Sequence, residues 1–66
     1  MKFYKGDEVK LVHGICEMEK NLIKQGNIDF IVERIDKTHG YIVVRDSVGL
    51  WHLHPEALVL IERKQK

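Results

Sequence analysis

The only proline of the chain, Pro55, lies within the stretch LWHLHPEALVLIE and restricts the fold more than any other residue. Before it, Trp51 and Leu53 occupy alternate positions, which is the period of a β-strand with one buried face. A proline cannot donate a hydrogen bond to a sheet, so this strand has to end there. Glu56 and Ala57 suit a single 3₁₀ turn, and LVLI then predicts a short last strand.

The length of 66 residues corresponds to one domain with a small core. Apolar residues make up 44% and charged residues 32% of the chain, a mixture typical of a globular domain rather than a disordered one. Eleven Lys and Arg nearly balance ten Asp and Glu, so strong sequence-independent binding to nucleic acid is not indicated. We assign residues 1–62 to the domain and residues 63–66 to a frayed, basic tail.

Cys16 is the only cysteine and cannot form a disulfide within the chain. Secreted domains of this size usually need such bonds, so we expect a cytoplasmic protein. No apolar run approaches the roughly 18 residues needed to span a bilayer, and the charged first residues lack the apolar region of a signal peptide. We therefore expect no membrane anchor.

Three earlier segments also predict strands. In residues 8–13, Val9 and Leu11 alternate with polar residues, as in a half-buried strand. Residues 28–36 are rich in β-branched and aromatic residues, but their apolar positions do not alternate. A bulge or strong bend near residues 30–32 would bring these apolar side chains to one face.

The third strand is predicted over YIVVRD, after the tight turn DKTHG, where Gly40 is available for a positive φ. Alternation places Ile42 and Val44 on the inner face. Tyr41, Val43 and Arg45 then lie on the outer face.

The chain resembles the small SH3-like barrels of the KOW and Tudor type in three stretches that follow in the same order: KGDEVKLV, FIVERID with GYIVVRD, and LWHLHPEALVLIE. The same pattern is similar to that of small bacterial and phage proteins. The resemblance implies an all-β fold, an SH3-like small barrel of about five short curved strands with a 3₁₀ turn before the last strand and a long first loop. The chain lacks the ALYDY-type stretch of signalling SH3 domains, so recognition of PxxP peptides is not expected.

Residues 14–27, between the first two strands, allow two interpretations. Ile15, Met18 and Leu22 fall at helical spacing, and Gly26 is placed to stop a short helix. A helix of about ten residues is marginal on its own, however, and the resemblance implies a long hairpin loop here. We predict the loop, with its apolar side chains covering one end of the barrel.

Two histidine-containing pairs have the spacing of metal ligands: His13 with Cys16, and His52 with His54. Nothing in the sequence shows that the pairs meet, so we predict no metal site and no cofactor. A Cys–His hydrolase would also need an orienting group and an oxyanion pocket, for which so short a chain has little room. We predict that the protein is not an enzyme.

The remaining interpretation is a binding module, and we predict that its partner is another protein. Outer-face residues suited to such a contact are Tyr41, Val43, Leu50, His52 and His54. The alternative is nucleic acid, as the resemblance to KOW domains implies. Its candidate residues supply charge for phosphates and one ring for stacking: Lys10, Arg34, Lys37, Tyr41 and Arg45.

Overall fold

The computed structural model describes residues 3–63 of the protein. Its elements, in chain order, are β1 (Glu8–Leu11), α1 (Glu17–Lys24), β2 (Asp29–Asp36), β3 (Tyr41–Arg45), β4 (Leu50–Leu53), a 3₁₀ turn (Pro55–Ala57) and β5 (Leu58–Glu62). A small, mostly β domain with a 3₁₀ turn before the last strand was predicted, and this is confirmed. Within residues 3–63, no helix is long and apolar enough to cross a membrane.

The strands form one antiparallel sheet in the order β4-β3-β2-β1-β5. Strands β4 and β5 lie at opposite edges, yet only residues 54–57 separate them along the chain. In a flat sheet these edges would be about 19 Å apart, further than a link shortened by a 3₁₀ turn can reach. The sheet is therefore strongly curled. Its link is held against the end of β1, because the Ala57 carbonyl accepts the N–H of Val12 at 2.8 Å.

Strand β2 contains the irregularity that its uneven apolar pattern indicates. The pairing register with β3 shifts between Val32 and Arg34, so the extra residue is Glu33, just after the predicted 30–32. Because of this bulge, Val32 opposes Val44 and Ile35 opposes Ile42, and all four side chains belong to the core or pack against it. The bulge is thus what allows a strand with uneven spacing to keep one buried face.

Strand β3 has a buried residue on its outer face, which alternation did not predict. Ile42 and Val44 lie in the core as expected, but Val43 is also fully buried, with 0% of its surface exposed. Directly opposite it on the neighbouring strands are Arg34 and His52, whose side chains share its face of the sheet. The prediction of Val43 as an exposed contact residue is therefore wrong.

Residues 14–27 contain a helix, so the predicted loop is wrong. Helix α1 buries Leu22 in the core, and Gly26 ends it with a φ of 77°, as a C-terminal glycine does. Its N-terminus is fixed by the buried Glu19 carboxylate, which accepts the backbone N–H of Cys16 at 3.1 Å and of Ile15 at 2.8 Å. These contacts satisfy donors that a short helix would otherwise leave exposed.

The turn between β3 and β4 is organised by Asp46. Its carboxylate accepts hydrogen bonds from the Asn27 amide at 2.9 Å, the Trp51 indole at 3.2 Å and the backbone N–H groups of Val48 and Gly49. The Asn27 bond, followed by the Gly49 N–H, lowers the pKa of Asp46 to about 2. Asp46 thereby joins the end of α1, this turn and the half-buried Trp51.

Candidate functional site

A groove of about 600 Å³ lies between the N-terminal segment and the β2–β3 hairpin. We call it the Tyr41 groove. Its lining residues are Phe3, Tyr4, Lys5, Glu33, Arg34, Ile35, Asp36, Lys37, Gly40, Tyr41, Ile42 and Pro55. The lining combines apolar and aromatic side chains with charged ones.

The apolar part of the Tyr41 groove continues from the core. Phe3 and Ile42 are buried core residues, and Ile35 packs against the same cluster. Tyr4, which is 41% exposed, and the half-buried Tyr41 add aromatic surface that solvent can reach. Aromatic side chains of this kind contribute most to binding when a partner covers them.

The position of Tyr4 is fixed by a contact between two distant parts of the chain. Asp7, fully buried, accepts the Tyr4 N–H at 2.9 Å and two nitrogens of Arg63, Nε at 3.1 Å and Nη2 at 3.1 Å. Burial alone would raise the pKa of Asp7, but the Arg63 and Tyr4 hydrogen bonds outweigh it and lower the pKa. The Arg63 guanidinium also lies 4.8 Å from the centre of the Tyr4 ring.

Sequence analysis placed Arg63 in a tail outside the domain, whereas the structure places it against Asp7. The rest of that tail, residues 64–66, lies outside the described residues. This end of the described chain therefore helps to hold one wall of the Tyr41 groove.

The Tyr41 groove is lined by three cationic side chains, Lys5, Arg34 and Lys37, and by two carboxylates. Of its two carboxylates, Glu33 pairs with Arg45 at 3.1 Å and Asp36 hydrogen-bonds His39 at 3.1 Å. The His39 hydrogen bonds lower the pKa of Asp36, with a smaller electrostatic contribution from Arg34. Lys5 and Lys37 form no ion pair within residues 3–63, so their charges remain available to a ligand.

Three of the five residues predicted to contact a protein lie together: Tyr41, His52 and His54. The Tyr41 ring meets both histidine rings edge to face, with ring centroids 5.2 Å apart for His54 and 6.3 Å apart for His52. His52 is exposed, as predicted, but His54 is half-buried and turned toward Glu19 rather than away from the domain. Leu50 is 57% exposed and lies on the edge strand β4.

The residues predicted to contact nucleic acid divide into two groups. Arg34, Lys37 and Tyr41 come together in the Tyr41 groove. Lys10 and Arg45 do not line it, because Lys10 lies on β1 opposite Asp29 and Arg45 pairs with Glu33. The predicted basic surface is therefore shared between separate parts of the molecule.

Sequence reasoning missed the groove residues Phe3, Tyr4 and Lys5. The adjacent aromatic pair ahead of the Gly6-Asp7 turn was a usable signal, because one of two neighbouring rings in an extended segment faces away from the core. Pro55 was recognised as a strand terminator, but its second role as a groove residue depends on the curl of the sheet.

Comparisons with protein families, with curated proteins and with solved structures found no match for this chain.

Proposed function

We propose that this protein is a non-catalytic binding module that receives a segment of a partner protein in the Tyr41 groove. The observation that carries the proposal is the groove itself, where solvent-accessible aromatic rings lie over an apolar floor beside unpaired lysines. A partner segment with an aromatic or aliphatic side chain flanked by carboxylates would match both its floor and its rim.

The proposal includes the fold type suggested by the sequence, a small SH3-like barrel of the KOW and Tudor type. The strand order β4-β3-β2-β1-β5, the curl of the sheet and the 3₁₀ turn before β5 support it. The free Cys16 supports the expected cytoplasmic setting, in which thiols stay reduced.

Peptide display against the purified domain tests the proposed function directly. We expect selected peptides to combine aromatic or aliphatic residues with Asp or Glu, and to shift amide resonances around the Tyr41 groove in a ¹H–¹⁵N spectrum. Replacing the anchoring ring by Tyr41→Ala should weaken their binding at least about tenfold. Val48→Ala is the matched control, since Val48 is 81% exposed and lies outside the groove. Failure to select peptides, or shifts confined to other surfaces, would contradict the proposal.

A second candidate function, binding of single-stranded nucleic acid, is favoured by the meeting of Arg34, Lys37 and Tyr41 in one groove. Stacking on an aromatic ring beside cations is the usual chemistry of such sites. A mixed-sequence oligonucleotide should then bind with an affinity that falls steeply with salt and is weakened by Lys37→Ala. The control is Lys24→Ala, which removes an exposed charge on α1 away from the groove. Peptide binding, which also uses the apolar floor of the groove, should fall less steeply with salt.

A further inference from the structure

Three side chains that commonly bind metal ions meet at the N-terminus of α1, outside the Tyr41 groove. They are Cys16, Glu19 and His54, and one candidate ligand atom from each, the thiol sulfur, a carboxylate oxygen and a ring nitrogen, lies within 4.8 Å of the other two. Cys16 precedes the helix, Glu19 lies in its first turn and His54 comes from the link after β4. Sequence analysis considered Cys16 and His54 but had no reason to connect either with Glu19.

The Glu19 carboxylate is the unusual member of this cluster. It is fully buried, and among residues 3–63 no Lys or Arg forms an ion pair with it. Its Oε1 accepts the N–H groups of Ile15 and Cys16, while its Oε2 accepts the His54 N–H at 2.7 Å and lies 3.0 Å from His54 Nδ1. Three of these four partners are backbone groups, so only the imidazole can be exchanged without disturbing the chain.

We propose that Cys16, Glu19 and His54 bind one zinc ion. A thiolate, an imidazole nitrogen and a carboxylate oxygen are the three ligand types that zinc takes in proteins. Bonds of 2.0–2.3 Å place tetrahedral ligand atoms about 3.3–3.6 Å apart. The Nδ1–Oε2 separation of 3.0 Å would therefore lengthen slightly, while the separations to the sulfur, at most 4.8 Å, would shorten by up to about 1 Å. Cys16 and His54 are only half-buried, which leaves a path for the ion and a fourth position for water.

Zinc binding would change both the protonation and the net charge of the cluster. Starting from a neutral thiol, a carboxylate and the imidazole tautomer with its proton on Nδ1, which is the one able to donate to Glu19 Oε2, the cluster carries a charge of −1. On binding, the thiol releases its proton to solvent, and the ring proton moves from Nδ1 to Nε2 by exchange with water. The sulfur, Nδ1 and Oε2 then donate electron pairs to the ion, and the net charge of the cluster rises from −1 to zero.

Two features of the surroundings favour this exchange. The ion would compensate a buried negative charge with which no Lys or Arg of residues 3–63 forms an ion pair. The thiolate would form at the N-terminus of an eight-residue helix, where the backbone N–H groups favour an anion. The bound ion would tie α1 to the link between β4 and β5, beside the Tyr41 ring.

Cobalt and zinc titrations of the full chain under reducing conditions test the proposal. We expect one Co²⁺ per chain, with a thiolate-to-cobalt charge-transfer band and the visible bands of a tetrahedral site. Zinc should displace the cobalt, and calorimetry in buffers of different ionisation enthalpy should show release of about one proton per ion at neutral pH. Cys16→Ser should abolish the charge-transfer band and weaken zinc binding at least about tenfold.

The matched controls are His13→Ala and His52→Ala, which remove imidazoles outside the cluster and should leave binding unchanged. His54→Ala should weaken binding as Cys16→Ser does while keeping the backbone bond to Glu19, and its fold is checked by its amide spectrum. Absence of stoichiometric cobalt binding by the native chain would overturn the proposal, and so would equal binding by Cys16→Ser. Neither result depends on whether the Tyr41 groove binds a partner.

Discussion

Two carboxylates are fully buried within residues 3–63, and each is held by a residue from a distant part of the chain. Asp7 is paired with Arg63, whose charge is permanent, and Glu19 is paired with His54, whose ring can be neutral or charged. Around Asp7 the negative charge is always compensated by a guanidinium. Around Glu19 the negative charge is stabilised mainly by hydrogen bonds from backbone N–H groups. The contact between Asp7 and Arg63 joins two distant parts of the chain by a permanent ion pair. The contact between Glu19 and His54 leaves a position that a proton or an ion can occupy.

The largest effect in this comparison is expected from Glu19→Ala. The substitution leaves the part-buried N–H groups of Ile15, Cys16 and His54 without their acceptor, and hydrogen bonds to a charged group contribute about 1.5–3 kcal/mol each. We expect the free energy of unfolding, measured with urea, to fall by at least about 3 kcal/mol. Glu17→Ala, an exposed change in the same helical turn, should have little effect. Equal losses in the two variants would show that the Glu19 contacts do not hold α1 in place.

A smaller loss is expected from Arg63→Ala. It removes the partner of Asp7 but keeps the Tyr4 N–H bond, and because Arg63 is partly exposed, water can replace some of the lost contacts. The urea midpoint should fall, by less than for Glu19→Ala. The control is Arg45→Ala, whose ion pair with Glu33 lies at the surface and should contribute nothing measurable. A larger loss of stability for Arg63→Ala than for Glu19→Ala would show that the Asp7 contacts contribute more to stability than the Glu19 contacts do.

A pH titration adds Asp46, a half-buried carboxylate, to the comparison. Its pKa of about 2 in the folded protein lies below the ordinary value of 3.8, so its contribution to stability is present above pH 3.8 and is lost as the pH falls toward 2. Urea unfolding of Asp46→Asn should therefore depend less on pH in this range than that of the native protein. Asp29→Asn, at an exposed position, should follow the native curve, and a parallel curve for Asp46→Asn would contradict the assignment.

The smallest effects on stability are expected at the two histidines of the segment LWHLH, where replacement by alanine should cost more at His54 than at His52. His54→Ala removes the ring contact with Glu19 but keeps the backbone bond, so we expect a cost of about 1 kcal/mol in metal-free buffer. His52→Ala should cost almost nothing, because its exposed ring makes only the distant edge contact with Tyr41. Differential scanning calorimetry of the two variants measures this difference. Equal melting temperatures would show that the imidazole adds nothing to the Glu19 site.

These contacts also explain how much of the fold the sequence could predict. Alternation places Val9, Leu11, Ile42, Val44 and Leu53 in the core, and Pro55 locates the 3₁₀ turn, because each of these patterns depends on near neighbours. Val43 was misplaced because alternation assumes that the outer face of a strand is exposed to solvent, whereas Val43 is fully buried on that face.

Helix α1 was missed for a different reason. Its spacing was recognised, but eight residues do not form a stable helix in isolation, and the stabilising contact comes from His54, 35 residues later in the chain. The one local signal was Glu19 three residues after Cys16, the spacing of a capping box with Cys in place of the usual Ser or Thr. Both candidate sites also depend on contacts between residues that are distant in the sequence, because the Tyr41 groove and the cluster of Cys16, Glu19 and His54 each join separate segments of the chain.

The position of β1 between β2 and β5 has a consequence for how fast the protein folds. One of its neighbours, β2, follows about twenty residues later, but the other, β5, is about fifty residues away along the chain. Pairing at such separation is entropically costly before any contact rewards it, so we expect folding in milliseconds to seconds, slower than for a helical bundle of this size. Stopped-flow refolding followed by Trp51 fluorescence measures this rate. Microsecond refolding would show that β5 joins the sheet only after the barrier has been crossed.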